Sequence, residues 1–125
     1  RGLGDVYKRQ IILERLLNNN SIIIFPEGTR SFDGEMLPAQ AGIGLTIIKS
    51  QAPVVPVRIW TFNAFNRNRT FPKPLMMSVK FGNPLDVAPL RAKAKSCSKQ
   101  ELRSIYQHAA EATMDAIQKL RPVED

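Results

Sequence analysis

The feature that most constrains the fold is a short apolar run, Ser21–Phe25, which stops at Pro26. The run is rich in β-branched residues and is bounded by turn-forming residues, a pattern that predicts a buried β-strand. A strand that is apolar on both faces indicates a sheet covered by helices. We therefore predict an α/β fold with a central, largely parallel sheet flanked by helices.

A cluster of polar and flexible residues follows this run, at the strand end where ligands of such sheets bind. The cluster consists of Glu27, Gly28, Thr29, Arg30 and Ser31. Glycine lets the backbone approach a ligand closely, and arginine presents a fork of donors that matches phosphate oxygens. The carboxylate cannot bind phosphate, but it could accept from a ligand hydroxyl or hold Arg30 in place. The cluster predicts a phosphate site; an ordinary strand-end turn with a Glu–Arg ion pair explains it equally well at this stage.

Hydrophobic periodicity and capping residues predict the other elements of the chain. They are helices over Ile11–Leu17 and Gln40–Ser50, strands over Val54–Trp60 and Met76–Phe81, a basic linker or short helix over Ala88–Lys95, and a last helix opened by the capping box Ser98–Glu101 and stopped by Pro122. Gly42 and Gly44 cost helix stability, so they predict close packing or ligand approach. Pro56, inside the second predicted strand, is typical of an edge or a bend.

Composition limits the classes of partner. A chain of 125 residues is at most one domain, and its formal charge of +7 predicts an anionic partner such as phosphate, a phospholipid surface, acyl carrier protein or nucleic acid. The basic residues are scattered and no nucleic-acid recognition motif is present, so we expect no nucleic acid. The single cysteine, Cys97, allows no internal disulfide, and no zinc-like spacing exists. No run approaches the ~18 apolar residues of a membrane span.

Two stretches resemble sequence blocks of one enzyme family. Phe25–Ser31 resembles the third block of the glycerolipid acyltransferases, the 1-acylglycerol-3-phosphate acyltransferase family, and Val54–Ile59 is similar to the fourth block, at the usual distance downstream. The resemblance runs from about Ile11 to Val87. It implies transfer of a fatty acyl group from an acyl thioester, acyl-CoA or acyl carrier protein, to the hydroxyl of a lysophospholipid. The expected acceptor is lysophosphatidate, in phospholipid biosynthesis.

The same resemblance implies roles for the site residues. The third block contacts the glycerol phosphate of the acceptor in this family, so Arg30 would hold the phosphate, while Glu27 and Gly28 would shape the pocket. The hydroxyls of Thr29 and Ser31 would add donors. The fourth block forms part of the acyl and acceptor pocket, which here would be walled by Val55, Pro56 and Val57. No metal is implied, and no cofactor apart from the acyl donor as co-substrate.

The catalytic base of the family is a histidine in a His-x-x-x-x-Asp block, which these residues do not contain. The single histidine is His108, whose next acid in register is Glu111, and it lies one position from the apolar stripe of the last helix. We therefore predict a surface histidine, no catalytic residue in this chain, and no activity of the chain alone. A non-catalytic module that binds phosphate or lipid headgroups is the alternative.

The first residues differ from the rest of the chain. Residues 1–10 lack a clean periodicity and resemble translated adapter sequence, so we expect them to be a non-native scar. Residues 11–125 would then be the C-terminal part of a single acyltransferase domain. The expected location is the cytoplasmic face of a membrane, with the protein peripheral or anchored through a preceding part of the domain.

A loop after the second predicted strand alternates aromatic and basic residues. These are Trp60, Phe62, Phe65 and Phe71 with Arg58, Arg67, Arg69 and Lys73. Aromatic rings favour the membrane–water interface, and each basic side chain near anionic lipid contributes about 1 kcal/mol. The stretch Phe65–Lys73 is therefore predicted to bind anionic membranes weakly and in a salt-sensitive manner, whereas Trp60 and Phe62 are expected to finish the core.

Overall fold

The computed structural model describes residues 3–28, 36–62 and 76–121. In chain order its elements are α1 (Leu3–Leu17), α2 (Ala41–Ser50), β1 (Val57–Phe62), β2 (Met76–Phe81), α3 (Ala88–Ala94) and α4 (Lys99–Lys119). The combination of helices with a small sheet confirms the predicted mixture of both kinds of element.

The core lies where α2 and α4 cross. Ile47 and Ile48 of α2 are buried against Ile105 and Ala109 of α4, and apolar side chains from the flanking segments pack around them. These positions recur at helical spacing, so each helix buries one apolar stripe. The predicted stripes of both helices are thereby confirmed.

Gly44 permits the close approach of these two helices. A Cβ built at this position would overlap the backbone carbonyl of Tyr106 in α4 and lie 2.8 Å from its Cα. A Cβ on Gly42 would meet only Arg9 Cδ, at an ordinary 3.6 Å. The prediction of close packing is therefore confirmed at Gly44, whereas Gly42 is not required by any such overlap.

Arg91 fastens α3 to the end of α2. Its Nε and Nη2 donate to the carbonyl oxygen of Ile47 at 3.1 and 2.8 Å, and Nη2 donates to that of Ala52 at 2.6 Å. The last carbonyls of a helix lack partners within the helix and carry partial negative charge. A cation placed there therefore supplies the missing hydrogen bonds and interacts favourably with the helix dipole. Burial lowers the pKa of the Arg91 guanidinium from its ordinary value.

Arg58 does the same for α4 from the strand β1. Its Nη1 donates to the carbonyl oxygens of Gln118 and Leu120 at 3.0 and 2.9 Å, and its guanidinium carbon lies 5.0 Å from the centre of the Trp60 ring. Arg58, one of the basic residues counted in the predicted membrane-binding pattern, thus contacts the end of a helix.

The sheet in the described ranges differs from the predicted one. β1 and β2 form a two-stranded antiparallel sheet, in which Val57 pairs with Phe81 and Ile59 pairs with Val79. Consecutive strands commonly pair with each other in this manner. Ile59, Val79 and Phe81 remain exposed on one face. A central parallel sheet is not present in the part of the chain that the structure describes.

The predicted strand Ser21–Phe25 is also wrong as an assigned element. Its side chains alternate as in an extended chain, with Ile22 and Ile24 half-buried and Ile23 and Phe25 exposed. However, a strand requires a hydrogen-bonded neighbour, and none pairs with these residues in the described segments. The composition correctly predicted an extended segment, but it could not predict which strand, if any, pairs with it.

Other boundaries shift for local reasons. α1 begins at Leu3 instead of Ile11, because residues excluded from the prediction continue the helix; whether residues 1–10 are native stays a prediction. β1 begins at Val57 instead of Val54, because Pro56 has no N–H to donate to a ladder. Within the described residues, none of the helices is both long enough and apolar enough to span a bilayer.

The C-terminal elements agree with the sequence. β2 covers the predicted Met76–Phe81, and the basic segment after it forms the short helix α3. Ser98 begins α4, where its hydroxyl accepts from the N–H of Glu101 at 3.3 Å. The predicted start of the last helix is therefore confirmed.

Candidate functional site

A tight turn follows the apolar run and places the first site residues. The N–H of Gly28 donates to the carbonyl oxygen of Phe25 at 3.1 Å, with Pro26 at the second position of the turn, where its fixed φ is favoured. Gly28 has a φ of +73°, a left-handed conformation that other residues adopt only with strain. A Cβ there would also lie 2.9 Å from Cγ of Gln40. Glycine is therefore required at residue 28 both by its backbone and by its neighbour.

Glu27 is hydrogen-bonded across the segment 28–36, which carries the other predicted phosphate ligands. Its Oε2 accepts from the N–H of Leu37 at 2.8 Å, and its backbone oxygen accepts from Nε2 of Gln40 at 3.3 Å. The N–H of Gln40 donates to the carbonyl oxygen of Pro26 at 2.8 Å. We call these three hydrogen bonds the Glu27 clamp. A hydrogen bond to a carboxylate is stronger than one between neutral groups, so the clamp holds together the two ends of the segment 28–36.

Three of the predicted acceptor-binding residues, Thr29, Arg30 and Ser31, lie outside the described residues. The structure therefore shows the base of this segment, and their roles stay predictions. The sequence predicted that Glu27 would bind either a ligand hydroxyl or Arg30, and it did not predict the hydrogen bond from the N–H of Leu37. The signal that could have suggested the clamp is Gln40, a polar residue directly before α2 that can reach back to the turn.

The second group of predicted site residues lies at the start of β1. Val55 is exposed, Val57 is half-buried, and Pro56 is buried against Gly82, where a Cβ would lie 2.9 Å from Pro56 Cγ. The carbonyl oxygen of Pro56 accepts from the N–H of Gly82 at 2.8 Å. In the described ranges no hydrogen bond joins this group to Glu27, so a pocket formed by both groups stays a prediction.

A shallow groove of about 540 Å³ lies beside the clamp. It is bordered by Pro38 and Ala39, directly after Leu37, and by one face of α4. His108 lines it as an exposed residue, which confirms the predicted surface position. Glu111, in the same groove, accepts from Nε2 of Gln107 at 3.0 Å, so the carboxylate that follows His108 is bound within its own helix.

The sequence model of the family described as Acyltransferase matches residues 6–60, a range that includes both Phe25–Ser31 and Val54–Ile59. This segment belongs to the acyltransferase family. The resemblance of the two blocks is thereby confirmed, and both the clamp and the start of β1 lie within the acyltransferase segment.

Curated relatives of the acyltransferase segment carry one name. The 1-acyl-sn-glycerol-3-phosphate acyltransferase of Limnanthes alba is 38% identical over 69 residues, which are 54% of this chain and 25% of that protein. The enzyme of the same name from Cocos nucifera is 38% identical over 68 residues, 54% of this chain and 22% of the relative. The human 1-acyl-sn-glycerol-3-phosphate acyltransferase beta is 38% identical over 53 residues, 42% of this chain and 19% of the relative. The match thus spans about a fifth to a quarter of the length of these relatives. No solved structure matched it significantly.

Proposed function

We propose that this protein takes part in the transfer of a fatty acyl group from an acyl thioester to the hydroxyl of a lysophospholipid, with lysophosphatidate as the acceptor. The observation that carries the proposal is the Glu27 clamp, at the base of the very block that resembles the family's acceptor-binding block. The membership of residues 6–60 and the names of the relatives support it. Phospholipid biosynthesis is the matching pathway.

The residues of this chain would serve the acceptor. Arg30 would bind the phosphate through its planar fork, with the hydroxyls of Thr29 and Ser31 as further donors. Glu27, whose Oε2 is bound to the N–H of Leu37, positions that segment instead of contacting the phosphate, which a carboxylate would repel. Val55, exposed before β1, would form part of the pocket wall together with Pro56 and Val57.

The chemistry needs a base that removes the proton of the attacking hydroxyl. These 125 residues contain one histidine, His108, and no His-x-x-x-x-Asp block. Such a block would have to come from sequence outside this chain. The acyl group arrives already activated as a thioester of coenzyme A or acyl carrier protein, so the proposal includes no metal and no other cofactor.

The first test measures acceptor binding by the 125-residue chain with isothermal titration calorimetry. Lysophosphatidate should bind, and the monoacylglycerol that differs from it only by the phosphate should bind far more weakly. Arg30→Ala should weaken lysophosphatidate binding by roughly 10- to 150-fold, since a charge-assisted hydrogen bond is worth about 1.5–3 kcal/mol. Arg30→Lys should also be impaired, because a point charge does not replace the fork.

The matched control for this test is Arg15→Ala, which removes an exposed arginine from α1 and should leave the affinity unchanged. If Arg30→Ala and Arg30→Lys bind lysophosphatidate as tightly as the parent, the phosphate lies elsewhere and the proposed site is wrong.

The second test concerns activity. The purified chain should show no acyl transfer to lysophosphatidate, because loss of a general base typically costs ~10²–10⁴ in rate. Turnover near that of the intact Cocos nucifera enzyme would contradict this. The alternative, a non-catalytic module that binds phosphate or lipid headgroups, predicts binding without turnover even when any sequence that the source gene encodes before residue 1 is included.

We also propose a location at the cytoplasmic face of a membrane, and the acceptor, which is a membrane lipid, supports contact with a membrane. The stretch Phe65–Lys73 lies outside the described residues and would bind the anionic surface. Co-sedimentation with anionic vesicles should fall at high salt and in a variant with Phe65→Ser, Arg67→Ser, Arg69→Ser and Phe71→Ser. A control with Lys8→Ser and Arg15→Ser on α1 should sediment as the parent does. Equal sedimentation of the first variant would show that this stretch does not bind the membrane.

A further inference from the structure

Four exposed basic side chains lie at the junction of α3 and α4. They are Lys93 in α3, Lys95 in the connection, and Lys99 and Arg103 in the first two turns of α4. Within the described residues, none of these four side chains makes a hydrogen bond or an ion pair. Arg58 and Arg91, by contrast, are bound to backbone oxygens. We call the four residues the basic patch, and their charge is available to a partner.

Helix geometry places two members of the basic patch on one face of α4. Lys99 and Arg103 are four residues apart, so they are neighbours on the helix surface, separated by about 6 Å along its axis. Glu101 lies two residues from each of them and therefore faces another side of the helix. The acid nearest in the sequence thus does not neutralise this pair of cations.

The backbone that carries the basic patch is held in place by hydrogen bonds and packing. The N–H of Lys95 donates to the carbonyl oxygen of Ala92 at 3.3 Å, and that of Ser96 donates to the carbonyl oxygen of Lys93 at 3.2 Å. Cys97, the next residue, packs against the core. Ordering a surface costs binding free energy, so a surface that is already ordered binds a partner with less loss.

The surroundings of the basic patch favour a protein partner over a lipid surface or a small anion. The other exposed residues of this stretch that carry no charge are all small or polar, namely Ala88, Pro89, Ala92, Ser96, Ser98, Gln100 and Ser104. No large hydrophobic residue is exposed from 88 to 104, a stretch that the structure describes throughout, whereas membrane-surface helices insert such residues. A small ligand binds in a concave site, and the groove beside the clamp is lined by no member of the patch.

We infer that the basic patch is a docking surface for the acidic face of an acyl carrier protein, which presents the acyl thioester to the enzyme. The inference rests on the proposed function and selects one of its two thioester donors. Unpaired cations attract a surface of carboxylates, steer its approach and fix its orientation. The basic patch lies outside residues 6–60, so the docking surface is separate from the segment that the family model matches.

The size and chemistry of the basic patch suit a transient contact. Residues 93 and 99 are at most about 20 Å apart even in an extended chain, and residue 103 is about 6 Å further along α4. All four cations therefore fit within one interface of roughly 800 Å² per partner, which is about 30 Å across. Exposed ion pairs are individually weak. A carrier that must leave after delivering its acyl group needs a contact of this kind.

The experiment measures binding of palmitoyl-acyl carrier protein to the whole 125-residue chain by isothermal titration calorimetry at about 0.15 M salt. Each exposed ion pair changes an affinity by about 1.4- to 5-fold. A patch variant with Lys95→Ala, Lys99→Ala and Arg103→Ala removes three of the four charges, so its Kd should be at least about threefold higher. Alanine is a good helix former, so this variant should keep the fold. In NMR spectra of the parent, the carrier protein should shift the amide signals of residues 93–103.

A matched control removes the same charge from other surfaces. Lys8→Ala, Arg15→Ala and Arg121→Ala together delete three exposed cations, two from α1 and one from beyond the end of α4. The end of α4 lies about 24 Å from Arg103, which is about three times the Debye length of about 8 Å at this salt. The control variant should therefore bind the carrier protein within about twofold of the parent.

Equal affinities of the patch variant and the control variant for the carrier protein would overturn the inference, as would the absence of binding by the parent. Palmitoyl-CoA and anionic vesicles test the identity of the partner. If either lost affinity for the patch variant by the same factor, a nucleotide or a membrane would be the ligand and the inference would be wrong. No readout here involves lysophosphatidate, so these failures leave the proposed acceptor site standing, whereas failure of the Arg30 test leaves the docking surface standing.

Discussion

Replacing Gly44 by alanine tests the packing of α2 against α4 most directly. The new Cβ would overlap the backbone carbonyl of Tyr106, and backbone, unlike a side-chain end, cannot rotate away. The helices must therefore separate, and a gap of 0.5–1 Å forfeits about a quarter to a half of each contact. The three buried isoleucines at this crossing contribute about 2 kcal/mol each, so the loss is about 1.5–3 kcal/mol. Alanine returns about 1 kcal/mol of helix propensity, which leaves a net destabilisation of about 0.5–2 kcal/mol.

The assay is urea unfolding followed by far-ultraviolet circular dichroism. With a denaturant slope of about 1–3 kcal/mol/M, the midpoint of Gly44→Ala should fall by roughly 1 M. Gly42→Ala is the matched control, two residues earlier in the same helix, where the new Cβ meets only Arg9 at an ordinary distance. It should raise the free energy of unfolding by up to about 1 kcal/mol. A Gly44→Ala midpoint at or above that of the parent would refute the reasoning.

Three further predictions concern single side chains. Arg91→Met should lower the free energy of unfolding in urea by about 2–3 kcal/mol, because charged donors to the α2 carbonyls are lost, and Arg91→Lys should restore less than half; equal midpoints would contradict this. Burial, and then the charge of Cys97, raises the pKa of Tyr106. Its contribution to stability is therefore complete below its ordinary pKa of about 10 and is lost as pH rises from there through the raised pKa of the folded state. As pH rises above about 10, the parent should therefore lose more stability than Tyr106→Phe, and identical slopes would exclude this linkage. Glu27→Ala should speed hydrogen exchange of the Leu37 amide at least about tenfold, with Glu27→Gln intermediate; unchanged exchange would show that the clamp does not hold.

Elements whose formation depends on their own residues could be predicted from the sequence. The apolar stripes of α2 and α4, the span of β2 and the cap at Ser98 all follow from spacing within a few residues. The sequence showed that Gly44 lowers the stability of its helix and must therefore have another role. It did not show the cause, which is the carbonyl of Tyr106 in α4, far along the chain. Periodicity thus predicts which face is buried but not what covers it.

Pairing and long-range hydrogen bonds could not be predicted. Strand formation in Ser21–Phe25 depends on a second segment, and its composition contains no information about that partner. The Arg91 bonds span 44 and 39 residues along the chain, and nothing in the neighbouring sequence marks this arginine. At the site, the motif drew attention to Glu27, but its partner is the backbone amide of Leu37, which any residue except proline supplies.

The two arginines at the helix ends reduce the number of positive charges that are available to bind a polyanion. Arg58 and Arg91 direct their guanidinium groups at backbone oxygens, so they are occupied before any polyanion approaches. Because the salt dependence of binding to a polyanion counts only the cations that meet it, these two should contribute nothing to that slope. They should also react more slowly than the exposed Arg15 and Arg103 with phenylglyoxal, a guanidinium-directed reagent. Chemical labelling would thereby separate the charge that maintains this architecture from the charge available for recognition.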